Sequence, residues 1–403
     1  MDSTPETLLI TLTGKDRPGV TSAIFSTLAR TGVEVVDVEQ IVLRRRLILG
    51  VLVTVPRSWE RLRDAVTATA EELGMSVEVE RGTGDNRARA GGRAHVTVLG
   101  TPLRATDMAV VAGRIADSGA NIDRIERMAR YPVTAIELHV SGASPEALRT
   151  VLATEASERG IDIAVQPANL LRRGMRLIVM DVDSTLVQGE VIEMLAAHAG
   201  CEAEVAAVTE RAMRGEVDFE ESLRARVALL EGVPATALDS VYENLQLAPG
   251  ARTMVRTLKR LGYRFAIVSG GFSQVTDRLA ADLGIHYARA NELEVVDGHL
   301  TGRVVGEVVD RAGKARALRE FAADIGVPLD AVIAIGDGAN DLDMLNAAGL
   351  GIAYNAKPLV RDAADTAVNV PYLDAILYLL GISREEIEDA DAAAGIVTPA
   401  PPV

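Results

Sequence analysis

Cysteine is nearly absent: Cys201 is the only one in 403 residues. No intrachain disulfide framework can form, and a reducing cytosol fits. Taken alone, Cys201 reads as a small buried or half-buried apolar residue. Aromatic residues amount to 3%, so the cores must be built from Ala, Val, Leu and Ile. No apolar run approaches the ~20 residues that a membrane span requires. The start Met1-Asp-Ser-Thr-Pro-Glu6 lacks the basic and apolar regions of a signal peptide. The expectation is a cytoplasmic protein with no membrane partner. Positive charge is also short, with 42 Lys and Arg against 57 Asp and Glu and a net charge of −15. That balance argues against nucleic acid as a partner, so an anionic ligand must be met by local positive groups.

An apolar share of 48% with 25% charged residues describes a soluble globular chain, and its length calls for two or three domains. The first part repeats itself. A strand at Leu8–Thr13 leads into the loop Gly14-Lys-Asp-Arg-Pro-Gly19, then a helix over Ser22–Arg30 and a strand over Gly32–Val38. Arg46–Val55 predicts another strand, Glu60–Leu73 a helix, and Ser76–Val79 a short closing strand. This βαββαβ order restarts at His95–Leu99, followed by a helix over Asp107–Asp117. Gly14 recurs as Gly100, and Thr31-Gly32-Val33 as Ser118-Gly119-Ala120. The polar, glycine-rich stretch Arg81–Gly92 between the copies reads as a linker.

After Pro167–Gly174 the pattern changes. Strand-like runs at Leu177–Met180, Phe265–Val268, Val332–Ile335 and Gly351–Tyr354 alternate with helical segments, which predicts a doubly wound parallel sheet. Gly189–Gly250 is helical throughout and is placed to act as a lid. Glu294–Val304 predicts a hairpin turning at Asp297-Gly298. Thr398–Val403 reads as a frayed tail.

Four elements in this second part carry chemistry. Asp181-Val-Asp-Ser-Thr-Leu-Val187 puts two carboxylates at the carboxyl end of a buried strand, where ligands bind in open α/β sheets. Asp181 can serve as a nucleophile toward phosphorus, and Asp183 as an acid and base for the leaving oxygen and the water. An Asp-x-Asp alone is most often a solvated turn. Ser269-Gly270-Gly271 offers a hydroxyl and unobstructed N–H groups at a helix start, a phosphate cradle. Lys314, at the start of a helix ending near Ile325, offers a fixed ammonium against charge repulsion; Arg316 nearby reads as surface. Gly336-Asp337-Gly338-Ala339-Asn340-Asp341 follows a very apolar strand, and Asp337 and Asp341 supply hard oxygen donors suited to Mg²⁺. Asn340 can bond to substrate or orient a ligand.

These elements in this order resemble the haloacid-dehalogenase-like phosphatases. The agreement is closer with the phosphoserine phosphatase family, because it extends through Glu190 and the segment Ala212–Arg226. The resemblance implies Asp181, Asp183 and Lys314 as catalytic residues. It implies a Mg²⁺ site from Asp181, the backbone carbonyl of Asp183, and Asp337, with Asp341 as a ligand or its support. It also implies contact with O-phospho-L-serine through Ser269, Gly270, Gly271, Lys314 and Asn340. Glu190 would meet the substrate's amino group and Arg226 its carboxylate, with Met213 and Phe219 as an apolar wall. The reaction implied is hydrolysis to serine and phosphate, the last step of serine biosynthesis. The repeated first part resembles ACT domains, which bind amino acids and regulate metabolic enzymes. Gly14, Asp16, Arg17, Gly19 and Val20 match their ligand loop; the second copy keeps Gly100 but has lost Asp, Pro and the second Gly. The implied layout is two ferredoxin-like modules, 1–83 and 94–168, then a phosphatase domain over 175–403 with a cap at about 189–250. An amino-acid effector, serine itself, and a homodimer through the ACT modules are implied as partners. Two other readings stand beside hydrolysis. One is phosphotransfer to an amino-acid alcohol, the other an amino-acid sensor on a silent phosphatase scaffold.

Overall fold

The computed structural model describes residues 6–84, 92–174, 176–213 and 216–398. The chain divides into two compact units, residues 1–89 and 90–403.

The first unit runs β1 (Glu6–Lys15), α1 (Val20–Ala29), β2 (Val35–Leu43), β3 (Arg46–Thr54), α2 (Trp59–Glu72) and β4 (Ser76–Thr83). Its antiparallel sheet has the order β2-β3-β1-β4. Alternation decides the faces. Leu8, Ile10 and Leu12 of β1 and Leu47, Leu49, Val51 and Val53 of β3 pack under Val20, Ile24 and Leu28 of α1 and Leu62 and Val66 of α2. Two further strands besides β1 run past their predicted ends. β2 continues to Leu43 because Arg44 and Arg45 both take left-handed backbone, φ 47° and 64°, and close a two-residue hairpin that lacks the usual Asn-Gly signal. β4 continues to Thr83 because β1 offers partners as far as Glu6. Its last three residues fall in the stretch that the sequence reads as a linker, of which 85–91 lie outside the described residues.

The second unit opens with the same pattern: β5 (Arg93–Gly100), α3 (Ala105–Asp117), β6 (Asn121–Ala129), β7 (Thr134–Ser141), α4 (Pro145–Arg159) and β8 (Asp162–Pro167), in the sheet order β6-β7-β5-β8. One face carries Val96, Val98, Leu138, Val140 and Val165 against its helices. The opposite face presents Leu99, Ala135 and Ala164, which join the core of the large domain that follows. A buried carboxylate adds a polar latch. Asp162 accepts hydrogen bonds from the backbone N–H of Asn369 (2.6 Å) and Val370 (3.1 Å) and from the Asn369 amide (2.7 Å).

After α5 (Leu171–Gly174) comes β9 (Leu177–Met180), then the cap helices α6 (Val191–Ala199), α7 (Glu202–Met213), α8 (Phe219–Ala228) and α9 (Thr236–Asn244). The remainder runs α10 (Ala251–Arg260), β10 (Arg264–Phe272), α11 (Ser273–Leu283), β11 (Tyr287–Val296), β12 (His299–Val305), α12 (Arg311–Asp324), β13 (Val332–Gly336), α13 (Leu342–Ala347), β14 (Leu350–Tyr354), α14 (Pro358–Ala363), β15 (Thr366–Val368), α15 (Ile376–Leu379) and α16 (Arg384–Ala393). The seven strands lie in the order β12-β11-β10-β9-β13-β14-β15, parallel except for β12. Every residue of β9, β13 and β14 is buried, as a parallel sheet covered on both faces demands. The β11–β12 hairpin turns on Asp297 and Gly298, both at positive φ (49° and 76°), as the sequence predicts. The chain leaves β9 for β10 on one side and later returns to β13 on the other. The carboxyl ends of these three central strands therefore open a crevice at the switch in direction. No helix among the described residues is long and apolar enough to cross a membrane.

Candidate active site

Asp181 follows directly on β9 and is held in the sheet by its N–H, which donates to Ile335 O of β13 at 2.9 Å. Ser184 then turns the chain at φ 56°. This turn separates the jobs of the two carboxylates. Asp183 points to the cap side, where Oδ1 accepts from the N–H of Val191 (2.8 Å) and Oδ2 from the Ser269 hydroxyl (2.9 Å). Ser269 is fixed in turn, since its oxygen accepts from the Gly271 N–H at 2.7 Å. The two glycines are required by contact. A Cβ on Gly270 would stand 2.9 Å from the Phe219 ring, and one on Gly271 2.9 Å from both Asp183 Oδ2 and Ser269 Oγ. Strand β10 runs on through these residues to Phe272, and α11 starts at Ser273 as expected.

The floor of the site is a buried charge cluster. Lys314 has no exposed surface, and its ammonium lies 2.8 Å from Asp181 Oδ1 and 2.7 Å from Asp341 Oδ1. The first turn of α12 that carries it is capped by Asp310, which accepts from the Gly313 N–H at 2.7 Å. Asp341 Oδ2 accepts from the N–H groups of Asp337 (3.1 Å) and Gly338 (3.0 Å). The Thr185 hydroxyl donates to Asp337 Oδ1 at 2.9 Å. Carboxylate oxygens of Asp181, Asp337 and Asp341 lie within 4.8 Å of one another. Three carboxylates against one ammonium leave two negative charges, which a divalent hard cation would balance.

The electrostatics agree with that count. Burial, and then the Asp341 charge, push Asp181 well above the usual carboxylate range despite Lys314. The same two causes push Asp337 up to about 6. Burial alone would lower Lys314, but Asp181 and Asp341 outweigh it and hold the ammonium charged. The sequence expectation places Asp183 at the cation site through its backbone carbonyl and Asp341 as a ligand or its support. The structure brings Asp341 into the cluster and turns the Asp183 side chain away, because both Asp183 oxygens are already engaged.

Above this floor is a cavity of about 440 Å³ between cap and core. Glu190, Phe219 and Arg226 line it from the cap, and Asp181, Asp183, Gly270, Gly271, Asp337 and Asn340 from the core. Arg226 Nη1 lies 3.9 Å from Glu190 Oε2, so the cap wall offers opposite charges side by side. Burial, then repulsion from Asp183, raises Glu190, and burial lowers Arg226. The Met213 side chain lies outside the described residues. Arg316 pairs with Glu307 at the surface, as expected.

Several residues of this region carry no sequence signal. Asn291, buried on β11, donates to Gly270 O (2.8 Å) and accepts from the Val309 N–H (2.8 Å), joining the Ser269 loop to the approach of α12. Lys357, Leu359 and Val360 reach the cavity from α14 and its cap. In the first unit, Gly14 lies among the last paired residues of β1, Asp16 to Gly19 form the β1–α1 loop, and the Arg17 guanidinium stands over Gly74. Val20 lies in that unit's core, so its side chain serves packing. Gly100 closes β5, where a Cβ would stand 3.0 Å from Leu103 Cα.

Comparison with known proteins agrees with this geometry. A family profile of haloacid dehalogenase-like hydrolases matches residues 178–346, and ACT domain profiles match 6–80 and 93–166. A phosphoserine phosphatase of Streptomyces coelicolor is 63% identical over 96% of this chain and 95% of its own. The phosphoserine phosphatase SerB2 of Mycobacterium tuberculosis is 54% identical over the same shares. Among solved structures, a probable phosphoserine phosphatase from Vibrio cholerae aligns with a TM-score of 0.58 and 36% identity over 75% of this chain and 90% of that one. With its acidic strand end, buried lysine, acidic turn and helical cap, the chain belongs to the phosphoserine phosphatase family of haloacid dehalogenase-like hydrolases, with two ACT domains ahead of the hydrolase domain.

Proposed function

We propose that this chain hydrolyses O-phospho-L-serine to L-serine and phosphate through an aspartyl-phosphate on Asp181. The observation that carries the reading is the facing of two unlike walls across one cavity. The floor holds Asp181 with Lys314 at 2.8 Å, and the cap holds Glu190 and Arg226 3.9 Å apart. A phosphate monoester needs the first wall, and only a zwitterionic alcohol needs the second. Arg226 pairs with the substrate carboxylate and Glu190 with its ammonium. Phe219 forms the apolar side, and Asn340 bonds to the phosphoryl group.

In the first step an Asp181 oxygen forms a bond to phosphorus and the bond to the serine oxygen breaks. Asp183 gives its proton to that oxygen, and serine leaves. In the second step Asp183 takes a proton from a water whose oxygen attacks phosphorus, and the acyl phosphate bond breaks to restore Asp181. The Ser269 hydroxyl and the N–H groups of Gly270 and Gly271 hold the phosphoryl oxygens. Lys314 keeps the Asp181 carboxylate and the incoming dianion from repelling each other. Asp181, Asp337 and the backbone carbonyl of Asp183, with Asp341 behind them, are the groups that would hold Mg²⁺. When bound, the ion supplies charge neutralisation at the phosphoryl oxygens.

The first unit is read as an effector-binding module that takes serine at Gly14–Gly19, in a homodimer. Its edge strand β2 supports the pairing, since Val35, Val38, Ile41, Val42 and Leu43 are all exposed on it.

The decisive experiment is phosphate release from O-phospho-L-serine with and without Mg²⁺, beside Asp181→Asn. Metal-dependent release that falls by at least about 10⁴-fold in the variant is expected. No release from folded protein would overturn the reading. Arg226→Ala should raise KM for phosphoserine far more than for an aryl phosphate; equal losses on both would remove the clamp.

A further inference from the structure

Where the second ACT module meets the phosphatase domain, its sheet carries a row of residues that the reaction does not use. His95 of β5 pairs directly with His139 of β7 on one side and Gln166 of β8 on the other. Directly paired residues share a face, and here it is the face that also carries Leu99, Ala135 and Ala164. Glu137, two residues before His139 on β7, lies on the same face and is buried. His95 Nδ1 stands 3.1 Å from Glu137 Oε1, and His139 Nε2 stands 3.4 Å from the same oxygen. The two imidazole rings meet edge to face with centroids 4.7 Å apart.

Glu137 thus faces both rings at ion-pair distance, without well-formed hydrogen-bond geometry to either. His95 Nδ1 and His139 Nε2 are buried and make no hydrogen bond, and neither does Gln166 Nε2. Buried polar nitrogens without well-formed hydrogen bonds are costly. Two imidazole nitrogens converging on one buried carboxylate, beside an unpaired Gln166 amide nitrogen, make a donor set that an ion would complete. Donors bound at about 2.0–2.1 Å in a tetrahedron lie about 3.3–3.4 Å from one another, close to the spacings found here. We infer that His95, Glu137 and His139 form a second metal site, for a borderline divalent transition ion such as Zn²⁺.

The donor set suits that class. Two imidazoles and one carboxylate select such an ion over Mg²⁺, which prefers oxygen donors throughout. Glu126 Oε2, 3.9 Å from His139 Nε2, is a further donor at the rim. Rotation of the Gln166 amide would present its oxygen in place of its nitrogen. Arg172 supports the carboxylate from behind, as buried metal ligands require. Its guanidinium pairs with both oxygens of Glu137 and donates to Leu379 O at 2.9 Å in the phosphatase domain. An ion here would stiffen the junction between module and enzyme, away from the Asp181 cluster.

The test is a Co²⁺ titration of the full chain in excess Mg²⁺, read as the visible absorption of imidazole-bound cobalt and as the thermal midpoint. The unaltered chain and Asp337→Asn should both develop the cobalt bands and a raised midpoint, and Zn²⁺ should bleach the bands. In His95→Gln/His139→Gln the bands should vanish and Co²⁺ affinity fall by at least about tenfold, with Mg²⁺-dependent phosphate release retained. If that double variant does not fold, His139→Gln alone carries the test, because its side chain is 30% exposed. Identical cobalt spectra with and without the histidines would overturn the site. So would a titration in which Asp337→Asn removes all cobalt binding.

Discussion

The two ACT modules share one strand order and differ in what covers the outer face of the sheet. In the first, Leu9 on that face is 40% exposed; in the second, Leu99 is 1% exposed and continuous with the phosphatase core. The loops diverge in step. The first module keeps Asp16, Arg17 and Gly19 between β1 and α1, whereas the second reads Thr101-Pro-Leu-Arg104. A duplicated module can therefore become a buried support in one copy while the other keeps a free loop and a free face. Burial also brings obligations: the second module carries Glu137 and Asp162 into the junction, and each needs its partners there.

The largest effect should come from breaking the buried side of this comparison. Arg172→Ala strips the buried Glu137 carboxylate of its guanidinium, with an expected loss of about 3 kcal/mol of stability in the second unit. Asp16→Ala in the first module, on an exposed loop, should cost no more than about 0.5 kcal/mol. Urea unfolding of both variants gives the contrast, and similar midpoints would erase it.

A second contrast lies inside the second unit, between a carboxylate that faces a guanidinium and one that faces other carboxylates. Asp337, pushed up to about 6 by burial and Asp341, keeps its proton in the folded, metal-free chain where the unfolded chain has already released it. The native state then holds more protons between about pH 4 and about pH 6, so its stability falls as pH rises through that window. With EDTA present, Asp337→Asn should gain in thermal midpoint over the unaltered chain across this range. Mg²⁺ should close the gap by stabilising the ionised carboxylates. A gap independent of pH would show that Asp337 does not titrate there. The smallest effect is again on Asp16→Ala: basal turnover should stay unchanged while the response to added serine is lost. Serine inhibition that is competitive and identical in the variant would move the effector from the loop to the active site.

Much of the site was legible in the chain because each element is local. Asp181 to Thr185, Ser269 to Gly271 and Gly336 to Asp341 each sit at the end of a run of buried residues, so their place at the sheet's edge follows from the apolar pattern before them. Asn291 was not legible, since its partners Gly270 and Val309 lie 18 to 21 residues away and no short motif marks it. The turn at Arg44-Arg45 was missed for another reason. Its left-handed backbone is imposed by the pairing of β2 with β3, against the preference of arginine.

The sequence by itself determined the order of the modules, the parallel sheet and the identity of the acidic turns, because periodicity and turn chemistry act over a few residues. Tertiary structure alone decided which carboxylates share a charge. Asp341 joins Asp181 only because Lys314 arrives between them from a separate helix, and Asp183 turns away only because Val191 and Ser269 hold it. It also decided which ACT face is buried, since covering a sheet depends on where the next domain packs. Electrostatic and packing energies depend on distance in space, and strands far apart in the chain set those distances.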